Sequence, residues 1–93
     1  MNYEDNDKLA GEIIAAADGL LDVDKINFLK YLIDNIEPDL AIKRALDWAV
    51  CGIWEIPIQL QSAIQAWGIR MNNAYYQDSV EKYFTHIQSE AKL

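Results

Sequence analysis

Chemistry at neutral pH needs an activated nucleophile, a titratable imidazole or a set of metal ligands at fixed spacing, and this chain offers few of them. It holds one cysteine, Cys51, and one histidine, His86. Structural zinc is held by four Cys or His ligands, so no zinc-finger set is available. The Glu-x-x-His pair of di-iron bundles is also missing, because Tyr83 stands where the glutamate belongs. The run Asp18-Gly19-Leu20-Leu21-Asp22-Val23-Asp24 gathers three carboxylates. It lacks the alternating oxygen ligands and closing glutamate of an EF-hand loop, and helix capping plus solvation accounts for its acids. No metal and no cofactor is expected.

Nucleophilic catalysis would have to use Cys51 or a serine. Arg44, two turns earlier on the same helical face, favours a thiolate at Cys51, whereas Asp47, one turn away, opposes it. The imidazole that would act as base lies far along the chain in the last helix, where His86 reads as a solvated residue near a helix C-terminus. Ser62, Ser79 and Ser89 have no Gly-x-Ser-x-Gly setting, and no glycine-rich phosphate loop is present. Cys51 reads as a structural thiol. The expectation is a protein without catalytic residues, not an enzyme.

Apolar side chains in polar settings carry more information. In the stretch RALDWAVCGIWEIPI, Trp48 lies inside a broad apolar face, as Trp67 does further on, and both read as core. Trp54, extended from the same helix, falls on the side of Lys43 and Asp47; Ile58 and Ile69 fall among glutamines. Trp54, Ile58 and Ile69 are therefore the expected partner-binding residues. The competing reading makes Trp54 a lid folded over the helix break, with Ile69 against the last helix. A second candidate is anionic: Asp34, Glu37 and Asp39 cluster at one inter-helix turn. They read either as ordinary caps and solubilising charge or as a face that mimics a phosphate backbone.

The elements that position these residues follow from the helical period. Leu9, Ala10, Ile13, Ile14, Ala16, Ala17, Leu20 and Leu21 share one side of a first helix, from about Asp7 to Gly19, with residues 1–6 as a disordered tail. Asp22 or Asp24 caps a second helix, whose inner stripe is Ile26, Phe28, Leu29, Leu32, Ile33 and Ile36. Pro38 suits the first position of a third, running to about Ile53. That helix is apolar around most of its circumference, which places it at the centre. Gly52 and Pro57 bracket a connection at Ile53 to Ile56; a fourth helix follows from Pro57, a turn or kink comes at Asn72-Asn73, and the last helix spans about Ala74 to Ser89. The fold class is all-α: one domain, residues 1–93, forming a single compact bundle of about five helices around a mostly buried third.

Composition narrows the function. Of 93 residues 52% are hydrophobic and only two are proline, which favours a packed helical domain over disorder. The longest charge-free run, Ile56 to Ile69, contains a proline and three glutamines and falls short of the ~18 apolar residues that span a bilayer. The acidic start MNYEDNDK is unlike a secretory leader, and an unpaired cysteine fits a reducing compartment, so a cytoplasmic location is expected. Net charge is −7; residues 1–47 hold eleven acids against five bases, which is −6, and residues 48–93 hold four against three, which is −1. Such a field disfavours direct binding to nucleic acid or an anionic membrane. The expected role is a small acidic protein–protein interaction module, an adaptor, small subunit or regulator that also forms homo-oligomers. The alternative is a nucleic-acid mimic, a phage-type inhibitor of a DNA- or RNA-binding protein.

Overall fold

A helix that is apolar nearly all round is stable only when other helices surround it. Pro38–Val50 has that pattern, and the computed structural model, which describes residues 3–91, builds the bundle around it. Five helices follow in chain order: α1 (Tyr3–Ala17), α2 (Val23–Asn35), α3 (Pro38–Val50), α4 (Gln61–Met71) and α5 (Ala74–Ala91). A single 3-10 turn, Ile58–Leu60, leads into α4. Helix α3 packs against α1, α2 and α5, while α4 closes the bundle against α5 and α1. Ala41, Ile42, Ala45, Leu46 and Ala49 of α3 are buried, and the three alanines let neighbouring helices approach closely.

Local signals set the boundaries. Asp22 caps α2 by accepting the Lys25 backbone N–H at 2.9 Å, and its other carboxylate oxygen meets the Lys25 ammonium at 2.8 Å. Those bonds hold its pKa below the ordinary aspartate value. Pro38 opens α3, and Asn72 closes α4 in the left-handed conformation at φ 47°. The Asn73 side chain then accepts the Tyr75 backbone N–H at 2.8 Å, and α5 begins. Between α4 and α5, Gly68 faces Val80: a Cβ built at Gly68 would lie 3.0 Å from the valine methyl.

Several sequence expectations are corrected. The first helix starts earlier than Asp7, so residues 3–6 are not a tail; Asn6 is buried, and its amide oxygen accepts Arg70 Nη2–H at 2.8 Å, tying α1 to α4. Residues 1 and 2 lie outside the described residues. Helix α1 also stops at Ala17, so Leu20 leaves the apolar stripe for the turn and is exposed while Leu21 goes inward. Phe28 and Ile36, assigned to the inner stripe of α2, are exposed at its edge and end.

A further correction exchanges two tryptophans. Helix α3 ends at Val50, not Ile53, in a reversal where Gly52 N–H bonds the Ala49 carbonyl at 3.0 Å and Ile53 N–H bonds the Trp48 carbonyl at 3.0 Å. This is the Schellman pattern, which needs a left-handed residue; Gly52 supplies it at φ 80°. The reversal turns the following residues back over α3. Trp54 is consequently buried, 5% exposed, and its indole N–H donates to the Ala45 carbonyl at 3.0 Å. Trp48 is only half-buried, against Phe28 with ring centroids 6.2 Å apart. Trp67 is fully buried, as expected, and donates its indole N–H to Asp39 at 2.8 Å, linking α4 to α3.

These placements have measurable consequences. Trp54→Ala should cost roughly 3 to 5 kcal/mol of unfolding free energy, as for other emptied aromatic core sites, and Trp48→Ala distinctly less, by denaturant titration. Asp39 is 8% exposed, and burial raises its pKa; nearby Glu37 and Asp7 add to the rise, against the Trp67 N–H and the Arg70 charge. A carboxyl with a raised native pKa binds more protons folded than unfolded, so its contribution weakens as pH rises from the unfolded value through the native one. Asp39→Asn keeps an acceptor for Trp67 and cannot ionise. The stability of this variant relative to the parent should therefore climb across that acid-side window and level off above it, measured as melting temperature against pH.

Candidate functional site

The reversal that buries Trp54 also shapes a cleft beside it. The chain from Trp54 to Ile58 runs past the C-terminal half of α5 and leaves a cleft of about 340 Å³ between them. Buried Trp54, Ile56 and Tyr83 supply apolar walls, and Ile87 continues them along α5. The rim is acidic: Glu55 stands exposed on the connection and Glu90 on the last turn of α5. His86, half-buried in the wall, lies 3.2 Å from the Glu90 carboxylate, an ion pair when the imidazole is protonated. Burial raises the Tyr83 pKa, so the cleft presents a neutral phenol at neutral pH.

Ile58 stands at the mouth of this cleft with 71% of its surface exposed. It opens the 3-10 turn directly after Pro57, and the turn buries Leu60 while Ile58 points outward. Trp54 and Ile58 both line this cleft, Trp54 as a buried wall and Ile58 exposed at its mouth. Ile69 is just as bare, at 72%, but sits on α4 and takes no part in lining the cleft; it does not meet α5 as the lid reading supposed. Of Trp54, Ile58 and Ile69, read from the sequence as a partner surface, the structure leaves Ile58 exposed at a cleft, Ile69 exposed away from it, and Trp54 inside the fold.

The anionic candidate is dismantled in a similar way. Of Asp34, Glu37 and Asp39, Asp34 alone is exposed without a hydrogen-bonding partner inside the bundle. Asp39 is buried beneath Trp67, and Glu37 accepts the Tyr76 hydroxyl across to α5. Burial, and then that bond, push the Tyr76 pKa well above the ordinary phenol value. Two of the three carboxylates hold the bundle together and do not form a free face.

Cys51 is exposed at the C-terminal cap of α3, not at the edge of the core. Among the described residues no group of three or more His, Cys, Asp and Glu side chains is placed to hold a metal ion, and no helix is long and apolar enough to cross a membrane. Sequence reasoning missed Glu55, Tyr83 and Glu90 as companions of Ile58. The spacing of Tyr83, Ile87 and Glu90 on one side of α5 was visible, but nothing local showed that the connection would fold against it. Compared with family models, curated proteins and solved structures, the chain matches none.

Two large apolar side chains held in solvent contribute little to folding, since surface positions away from caps and networks usually matter by less than about 0.5 kcal/mol. Ile58→Ser and Ile69→Ser should each leave the melting temperature within about 2 °C of the parent, a shift of that size for a small domain. A larger drop in a thermal melt would show that either residue is packed.

Proposed function

We propose that the chain is a non-catalytic protein-interaction module that receives a basic, apolar-tipped segment of another protein in the cleft between the α3–α4 connection and α5. The observation that carries this reading is Ile58: it is 71% exposed at the mouth of an apolar-walled cleft whose rim bears Glu55 and Glu90. An aliphatic side chain gains nothing from water, and large bare apolar groups beside a concavity mark contact surfaces. Carboxylates at the rim complement a lysine or arginine flanking the inserted group. The chain's net charge of −7 adds long-range attraction for a basic partner and speeds encounter.

The nucleic-acid mimic also calls for a basic partner, but it relies on carboxylates of which Glu37 and Asp39 are engaged within the bundle. The cleft reading relies on Ile58 and Glu55, which are exposed, and on Glu90, whose contact is the His86 imidazole in the cleft wall. A cytoplasmic location belongs to the same proposal.

The test is affinity capture with the tagged chain from its native cell at low and high salt, comparing the parent with Ile58→Ser and with the double variant Glu55→Lys, Glu90→Lys. Ile58→Ser should weaken retention of the captured partner at both salt concentrations by at least about tenfold, ~1.4 kcal/mol. The charge-reversed variant should lose it most clearly at low salt, where screening is weakest. Retention unchanged in both folded variants would place the interaction elsewhere or remove it.

A further inference from the structure

The connection that forms one wall of the cleft has the pattern of a strand without a neighbour. From Trp54 to Pro57 the chain runs without a turn or bend, and burial alternates along it: Trp54 is inward at 5% exposed, Glu55 outward, and Ile56 inward at 7%. A period of two is that of extended backbone, whose successive side chains point to opposite faces. Pro57 continues it at φ −56° and ψ 140°. The segment is held at both ends, by the Trp54 indole on the Ala45 carbonyl and by the Leu60 N–H on the Pro57 carbonyl at 3.0 Å.

Its main-chain groups are unpaired. Among the described residues, the N–H and C=O groups of Trp54, Glu55 and Ile56 enter no backbone hydrogen bond, and no side chain bonds them. The element across the cleft cannot take them up, because α5 is a helix whose own main-chain groups bond one another. A row of free N–H and C=O groups on an extended segment is a template for one more strand. Here it runs along a cleft whose opposite wall is Tyr83 and Ile87 of α5. Peptides are bound in this way when backbone bonds hold the chain and alternate side chains enter pockets.

We propose that the segment received by the cleft binds in extended form, as a strand of alternating basic and β-branched aliphatic residues paired with the backbone of Trp54 to Ile56. This rests on the cleft reading above and adds the conformation of the occupant and the groups that hold it. Cross-strand neighbours face the same way, so residues beside Trp54 and Ile56 point into the cleft and suit valine or isoleucine. Those between them stand outward with Glu55 and suit lysine or arginine, with Glu90 on the other rim. Pro57 has no N–H, so the edge offers about 10 Å of pairing at ~3.3 Å per residue. So few bonds set direction and register, while the inserted aliphatic groups and the rim charges supply the remaining affinity.

The probe is the peptide acetyl-Lys-Val-Lys-Val-Lys-amide, followed by amide NMR spectra of the isotopically labelled chain. Two analogues carry N-methyl groups on the valines only or on the lysines only. Amides of alternate residues in a strand point to opposite edges, so one analogue loses its bonds to the connection and the other keeps them. The unmodified peptide should shift the amide signals of Trp54 to Ile56 and of Tyr83 and Ile87, and slow hydrogen exchange in the connection. One analogue should bind at least about tenfold more weakly, ~1.4 kcal/mol, and the other like the unmodified peptide. Ile58→Ser should weaken all binding at the cleft. Binding at the cleft that both analogues keep, or both lose, overturns the strand pairing and leaves the cleft reading standing, as does a bound peptide that leaves exchange in the connection unslowed. Absence of any shift at the cleft, or binding that Ile58→Ser does not weaken, overturns the cleft reading and this inference with it.

Discussion

The fold depends on how α3 is closed at its C-terminal end. The helix buries a face of alanines, isoleucine and leucine, and a helix of that composition has to be covered along its whole length. Helices α1, α2 and α5 cover most of it. The last turn is covered by the chain's own return: Gly52 adopts φ 80°, the backbone reverses, and Trp54 is laid back with its indole N–H on the Ala45 carbonyl. A side chain with one more carbon than glycine resists that backbone conformation. The indole both fills volume and satisfies its single polar group, which makes burial of so large a side chain favourable. From there the positions of Glu55, Ile56, Pro57 and Ile58 are largely dictated, since the connection is pinned at Trp54 and again where the 3-10 turn buries Leu60.

Polar groups inside the bundle act as cross-links between helices. Asp39 receives Trp67, Glu37 receives Tyr76, and the buried Ser79 hydroxyl donates to Asp47 at 2.9 Å while Asp47 also pairs with Lys43. Each joins α3 or its N-terminal flank to a helix distant in sequence. A buried polar group without a partner costs about 1 to 3 kcal/mol, so these pairs favour one register of the bundle over its neighbours. Among the described residues, no buried side-chain nitrogen or oxygen lacks a partner. Much of the chain's acidity near the α2–α3 turn is therefore structural.

What the sequence made legible was the repeat of apolar positions at helical spacing and the punctuation between helices. Asp22, Gly19, Pro38 and Asn72 mark boundaries through local backbone chemistry, and each lies at or beside an observed helix end. Five helices and a central third follow from that information alone. The site was less legible, because helical extrapolation through a break carries each side chain to the wrong azimuth. Trp54 was placed by continuing α3 past Gly52, and the Schellman reversal rotates it inward; Trp48, on the apolar arc by angle, proves to lie where α2 leaves the edge open. Ile58 and Ile69 were legible because a bare apolar residue among glutamines needs only the local period. Glu37 and Asp39 were not, since their partners Tyr76 and Trp67 are 39 and 28 residues away and no local pattern reports such pairs.

The central claim is that the chain reverses at Gly52 and locks Trp54 into the core. Hydrogen exchange of the three indole N–H groups, followed by NMR, tests it without any substitution. The account predicts that the Trp54 and Trp67 indoles, bonded to Ala45 and Asp39, exchange only through opening of the bundle, while the half-buried Trp48 indole exchanges much faster. A Trp54 indole that exchanges as fast as that of Trp48 would mean that the connection is not pinned, and that neither the cleft nor the position of Ile58 follows from the fold.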